Sequence, residues 1–252
     1  MRLLTLAALA LGSAPAAAEQ AEPVAPKPMR RVAPALADYT DRLLFGDVWK
    51  RPELNPRDRS LVTITVLIAA GKSAPLASHL ERALDNGVTP AEIGGTITHL
   101  AFYAGWPNAV SATEVADAVF TKRRIPASAL QLARMAPLPV PGNDGERAAT
   151  VERTVTAVSP SLAQLTNEPL FGDLWRRSDL SPRDRSLVTI VALTANGDAE
   201  QLGFHLQRGL ENGLTEAQLG ETMAHLAFYA GWPKAFSGTA AITKLKQKTP
   251  AQ

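Results

Sequence analysis

The sequence predicts an all-α protein made of two tandem copies of one helical bundle, and three observations carry that prediction. PRDRSLVTI at 56–64 returns at 182–190, and HLAFYAGWP at 99–107 returns at 225–233, a constant 126 residues on. Between Phe45 and Pro107 the copies align without a gap, and 38 of 63 positions match their counterparts between Phe171 and Pro233. Each copy reads as a succession of capped helices, and no stretch alternates as a strand would. A chain of 252 residues divides naturally into two such units, each able to bury a small core of its own.

The elements follow in order. Asn55-Pro56-Arg57-Asp58 is a helix start, with Asn as N-cap, Pro at the first helical position and Asp placed to reach back. Ser181-Pro182-Arg183-Asp184 repeats it. The run from Leu61 to Ala70 is apolar on nearly all sides, which predicts a central buried helix ended by Gly71, as Gly197 ends the second copy. A second helix, about 75–86, carries the stripe Leu76, Leu80, Ala83 and Leu84 and stops at Asn86-Gly87. The third opens on the capping box Thr89 to Glu92, echoed by Thr215 to Gln218, and its stripe is Ile93, Ile97, Leu100, Ala101 and Ala104. Gly105-Trp106-Pro107 breaks the chain, and a fourth helix runs from Pro107 to about Lys122. The domains are therefore 36–123 and 160–248, joined over 124–159 by a Pro/Gly-rich linker at 137–145 and a lead-in helix at 146–158.

Arg2, the apolar run Leu3 to Leu11 and the small residues Ala16-Ala17-Ala18 predict a cleavable signal at 1–18, hence a periplasmic or secreted protein. Residues 19–35, rich in Pro, Ala and charge, read as a disordered tether. A formal net charge of +2 that includes Arg2 gives no long-range attraction to nucleic acid or to an anionic membrane. The expected partner is a small anionic substrate, with no nucleic acid and no membrane after signal cleavage. The chain has no cysteine, so disulfides and thiol catalysis are excluded.

All four histidines fall in the repeat, as His79 with His205 and His99 with His225. Helices two and three, joined by a tight turn, read as an antiparallel hairpin. At about 1.5 Å rise per residue, His79 and His99 then stand within roughly one helical turn of a shared cleft. Glu92, Thr96, His99 and Tyr103 fall on one face of the third helix, to one side of its apolar stripe. Neutral histidine can move a proton near pH 7, and Tyr or Thr hydroxyls can orient an oxygen-rich ligand. Arg57 and Arg59 lie in the first turn of the central helix, where an arginine can clamp a carboxylate or close a salt bridge to Asp58, Asp47 or another subunit. Trp49 and Trp106 read as core or interface anchors rather than ligand platforms. Gly71-Lys72-Ser73 fails as a phosphate loop, since Val66 holds the required glycine position. A two-His metal site with Glu92 would lose its carboxylate to Gln218 in the second copy, so no metal and no cofactor is expected.

Pro-Arg-Asp-Arg-Ser-Leu, then His-Leu with Asn-Gly-Val-Thr, then Tyr-Ala-Gly-Trp-Pro resembles the carboxymuconolactone decarboxylase family over roughly 36–123 and 160–248. The resemblance is closer to the decarboxylase branch than to the alkylhydroperoxidase-D branch. It implies an all-α bundle that assembles into trimers or hexamers, and for a tandem chain a homotrimer with six pseudo-equivalent domains. The hydroperoxidase branch places two cysteines where this chain has Lys72 and Pro75, and again Asp198 and Gln201, so a peroxiredoxin activity is excluded. The decarboxylase branch commonly has Glu four residues before the histidine matching His79, where Pro75 and Gln201 stand here, and often Gln where His99 stands. The resemblance thus implies a cofactor-independent lyase or isomerase for a small carboxylated lactone or related organic acid, with an altered pocket. In that role Arg59 and Arg185 hold the carboxylate, His79 and His205 supply the proton, and Tyr103 and Tyr229 or His99 and His225 stabilise the developing oxyanion. A non-catalytic small-molecule-binding or scaffold oligomer of the same fold is the other open reading.

Overall fold

The structure, a computed structural model, describes residues 23–130 and 136–248, and the predicted signal at 1–18 lies outside them. Among the described residues every regular element is helical. The chain divides between Gly46 and Asp47 into two compact units. In the first, α1 (Lys27–Val32) and α2 (Pro34–Asp38) run into a π-helical turn at Tyr39–Leu44, so part of the segment expected as a disordered tether is helical. The Asp41 carboxylate accepts from the Val24 and Ala25 backbone N–H groups at 2.8 Å each and from Arg30 at 2.6 Å, which ties the start of that segment down.

The second unit holds both repeats. The first contributes α3 (Pro56–Ala69), α4 (Ser73–Asp85), α5 (Pro90–Ala104) and α6 (Trp106–Lys122). After α7 (Asp144–Val151), a π-helical turn at Glu152–Thr156, and α8 (Pro160–Leu165) with its own π-helical turn at Thr166–Phe171, the second repeat contributes α9 (Pro182–Asn196), α10 (Leu202–Glu211), α11 (Glu216–Ala230) and α12 (Trp232–Lys248). The start signals act as read: Asn55 accepts from the Asp58 N–H, Ser181 from the Asp184 N–H, and both capping boxes close. Gly197 ends α9 in the left-handed conformation (φ 94°), which glycine adopts without a Cβ clash.

The expectation of a separate core in each repeat is corrected here. Leu61, Val62, Ile64 and Val66 on α3, and Leu187, Val188, Ile190 and Val191 on α9, are all at zero exposure within one continuous apolar cluster. A helix apolar on every side needs cover on every side, and the α-helices of one repeat leave a flank of it bare. The central helix of the other repeat covers that flank, so α3 packs on α9. Burial of each such side chain stabilises the fold by about 1.5–3 kcal/mol, and here that gain joins the halves.

At the helix starts the halves are bound reciprocally. Arg57 donates to Asp184 at 2.8 Å and Arg183 to Asp58 at 2.6 Å, the pattern of a two-fold interface in which each side contributes both partners. Arg57 also pairs with Glu92, whose counterpart Gln218 carries no charge. The Arg57 salt bridge to Asp58 read from the sequence is present, while Asp47 is taken by Arg51.

The predicted hairpin of helices two and three does not form. The tight turn is there, but α4 lies on α3 and α6, whereas α5 lies on α6, on α3 and, across the repeats, on α9. By the same symmetry α11 packs on α3. This crossing decides where the histidines meet.

Candidate functional site

The crossing of α5 onto α9 brings His99 and Tyr103 to the second repeat, and that of α11 onto α3 brings His225 and Tyr229 to the first. One aromatic cluster contains His99, Tyr103, Trp175 and His205; the other contains His225, Tyr229, Trp49 and His79. His205 stacks on Trp175 with centroids 5.7 Å apart and meets Tyr103 edge-on at 5.5 Å. His79 stacks on Trp49 at 6.4 Å and meets Tyr229 edge-on at 5.5 Å. The shared cleft read for His79 and His99 therefore gives way to two composite sites, each built from both repeats. Trp49 lines one of them, while Trp106 is largely exposed.

Within each cluster the two histidines differ in kind. The Arg185 Nη1–H donates to His99 Nδ1 at 3.2 Å, which leaves the ring proton on Nε2, 2.7 Å from the Thr189 hydroxyl oxygen. Thr189 in turn donates to the Arg185 carbonyl at 2.9 Å. The other site repeats the relay: Arg59 to His225 Nδ1 at 3.4 Å, His225 Nε2 to Thr63 at 2.8 Å, and Thr63 to the Arg59 carbonyl at 2.8 Å. Every polar atom of these two rings is engaged. Burial, then the neighbouring guanidinium, pushes His225 down to about 3 and His99 well below its usual range, so both are neutral at pH 7.

His79 and His205 take no part in such a relay. Their Nδ1 atoms are buried without a hydrogen-bond partner. Burial, then Arg82 beside one and Arg208 beside the other, pushes His79 down to about 4 and His205 to about 3. Facing them, Tyr103 accepts from the Trp175 indole N–H at 2.8 Å and Tyr229 from Trp49 at 3.0 Å. Burial raises both phenols, so each keeps its proton and can donate it to an incoming oxygen.

Arg59 and Arg185, the arginines read as carboxylate clamps, lie at zero exposure with carboxylates of the chain already beside them. Arg185 donates to Asp179 and to the Arg177 carbonyl, both at 2.8 Å. Arg59 donates to the Arg51 carbonyl at 2.7 Å and stands 2.9 Å from Glu221. The two acids come from different places. Asp179 belongs to the repeat of its arginine, and its counterpart Glu53 is exposed; Glu221 comes from the opposite repeat, and its counterpart is Gly95. A Cβ at Gly95 would stand 3.1 Å from the Asp179 carboxyl carbon, so the missing side chain makes room for the substitute acid. Sequence reading missed both acids, although a Gly facing a Glu at matched positions of the repeat was the available signal.

The cluster around His205 opens on a cleft of 510 Å³ between α10 and the α7 segment, lined by His205, Phe204, Arg208, Phe171, Arg147 and Gln201 among others. A second cavity of 390 Å³, between α5 and α6, reaches Asp179 and Arg177 but no histidine. Among the described residues no three His, Asp or Glu side chains converge as a metal site.

The pattern of the carboxymuconolactone decarboxylase family matches residues 34–118 and again 160–244, about two thirds of the chain. The 4-carboxymuconolactone decarboxylase of Acinetobacter baylyi is 42% identical over 83 residues, covering 33% of this chain and 62% of that protein. The nitrosuccinic acid decarboxylase of Metarhizium robertsii is 38% identical over 68 residues, covering 27% of this chain and 48% of that protein. The matched stretches thus span about half to three fifths of the length of these curated relatives.

Proposed function

Since the chain belongs to the carboxymuconolactone decarboxylase family, we propose that it is a cofactor-independent carbon–carbon lyase that removes CO2 from a small organic acid. The observation that carries this reading is the pairing, at each composite site, of a histidine with an unpartnered Nδ1 and a tyrosine that retains its proton. Loss of CO2 leaves an electron pair that must pass into a conjugated carbonyl. The Tyr103 hydroxyl is suited to stabilise the resulting oxyanion, its own oxygen being held by Trp175. His205 is neutral at pH 7 because burial and Arg208 disfavour its charge. An anionic substrate reverses that balance, so the ring takes up a solvent proton on binding and returns it to carbon once CO2 has left. His99 and His225, locked as Nε2–H tautomers, position the tyrosines packed against them rather than transfer protons. The same reading includes export and assembly as a homotrimer. The apolar groove of Phe102, Trp106, Leu162 and Leu165 and the exposed Phe236 support a surface that meets other copies.

CO2 release from 4-carboxymuconolactone, nitrosuccinate and related lactone and keto acids tests the proposal. The doubly substituted His79→Ala/His205→Ala protein is expected to lose 10²–10⁴-fold in rate, on the order of what a positioned acid–base group contributes, while a lowered melting temperature still leaves it folded at 25 °C and pH 7.5. Undiminished CO2 release from that variant would remove these histidines from the reaction. No release by the unaltered protein from any of these acids would favour a binding role instead.

A further inference from the structure

We propose that Arg208 is the carboxylate-recognition residue of the His205 cleft, and that the ligand it selects is a small organic acid with a flat, apolar body. The inference rests on reading the His205 cluster as the place where the acid binds.

Arg208 is 5% exposed, and its Nη2 is buried with no hydrogen-bond partner. Its guanidinium instead stands over three rings, Phe204 at 4.8 Å, Trp175 at 5.1 Å and Phe171 at 5.3 Å. Ring faces attract a cation but do not replace a hydrogen-bonded carboxylate. Arg147, in the same cleft, shows the contrast: it donates to both Asp144 oxygens at 2.8 and 3.1 Å and to Asn167 at 2.8 Å. Two further acids line the cleft: Glu146, and Glu211, which accepts from Asn143 at 2.9 Å and Gln207 at 3.0 Å. Arg59 and Arg185 stand beside Glu221 and Asp179. Arg208 is thus a buried cation lining a cleft, with an Nη2 that no carboxylate among the described residues reaches.

Asp144 and Glu211 act on this guanidinium only at a distance, and a buried guanidinium nitrogen without an acceptor is costly to the fold, so it points to an anion that arrives from outside. A carboxylate supplies planar, bidentate geometry for it. The cleft volume of 510 Å³ suits a small ligand, and Phe171 and Phe204 flank the position where its body would lie. Phe204 has Ser78 as its counterpart, so the first repeat does not reproduce this wall. A carboxylate on Arg208 also places negative charge beside His205, the change that lets the ring accept a proton.

Calorimetric titration of the full chain with trans,trans-muconate, and with its uncharged dimethyl ester, tests the assignment. Muconate is expected to bind, the ester to bind at least tenfold more weakly, and Arg208→Met to weaken muconate about tenfold or more, the loss of one charge-assisted hydrogen bond. Arg208→Lys should recover part of the affinity. Without ligand, Arg208→Met is expected to keep or raise the melting temperature, because it removes an unpaired buried charge. Equal muconate affinity in Arg208→Met, equal binding of the ester, no binding by the unaltered protein, or a fall in melting temperature of more than about 5 °C (a structural arginine, by the usual stability-to-temperature scaling) would each overturn the proposal. His205→Ala separates the two readings: if it abolishes CO2 release while Arg208→Met leaves muconate binding intact, the lyase reading stands without this one. If muconate binding requires Arg208 but no acid is decarboxylated, the recognition site stands without the lyase.

Discussion

Arg185→Met is expected to destabilise the protein by about 3–5 kcal/mol, the usual cost of breaking a buried ion pair by removing one partner. For the unit from Asp47 to Gln252 that corresponds to a fall in melting temperature on the order of 10 °C. The size follows from what Arg185 holds. It is at zero exposure, neutralises Asp179, bonds the Arg177 carbonyl and fixes the tautomer of His99 across the repeat boundary. Removal strips the donor from one oxygen of Asp179, whose other oxygen Arg177 still holds at 2.8 Å, and leaves the Arg177 carbonyl and the His99 ring nitrogen without theirs. Arg185→Met combined with Asp179→Leu should recover about half of the loss, because no buried Asp179 oxygen then lacks its donor and Arg177, 28% exposed, can turn to solvent. Thermal unfolding of the three proteins at pH 7.5 checks both numbers, and a loss below about 1 kcal/mol would show that the pair is not desolvated as described.

Acidification is the second large effect. In the unfolded chain all four histidines titrate near 6.5. In the folded chain burial and the arginines beside them, Arg82, Arg208, Arg59 and Arg185, hold His79 to about 4, His205 and His225 to about 3, and His99 well below its usual range. Between those limits the unfolded state binds protons that the folded state refuses, so stability falls as pH falls. The contribution is complete above about pH 6.5 and declines by up to about 1.4 kcal/mol per pH unit for each histidine, roughly 5 for the four. A domain with a total stability of about 5–15 kcal/mol cannot sustain that slope for long. The melting temperature is therefore expected to be level from pH 8 to 7 and to drop steeply between 6 and 4.5. His99→Asn with His225→Asn should make that limb markedly shallower. A level profile down to pH 5 would contradict the buried, neutral state of these rings.

The helices were legible because their signals are local. Asn55 and Ser181 cap, Thr89 and Thr215 close boxes with Glu92 and Gln218, and Gly105-Trp106-Pro107 breaks the chain where α5 gives way to α6. Which helix lies on which was not legible. Periodicity reports an apolar face and not its neighbour, so the short turn at Asn86-Gly87 suggested a hairpin that α4 and α5 do not make. That choice put His79 with His99, while the α5–α9 crossing puts His99 with His205. The residue types of the site were nonetheless visible, as the His, Tyr and Arg positions common to both repeats. The all-round apolar character of Leu61–Ala70 held the missing information, since one repeat cannot enclose such a helix. The acids Asp179 and Glu221 and the unpaired Arg208 depend on tertiary neighbours, and spacing along one helix does not encode them. The π-helical turn at Thr166–Phe171, which precedes Trp175, left no signal of its own beyond Pro169.

Composite sites shared between the repeats are the centre of this account, and the four tryptophan indole N–H resonances test them directly in the full chain. Tyr103→Phe removes the acceptor of Trp175, a residue of the other repeat, and leaves the Trp49 contact with Tyr229 intact. The Trp175 indole proton, assigned by Trp175→Phe, is expected to shift strongly upfield in Tyr103→Phe, with the Trp49 resonance in place. If Tyr103→Phe instead moves Trp49, the counterpart of Trp175 in its own repeat, and spares Trp175, each repeat closes its own site and the crossed arrangement is wrong.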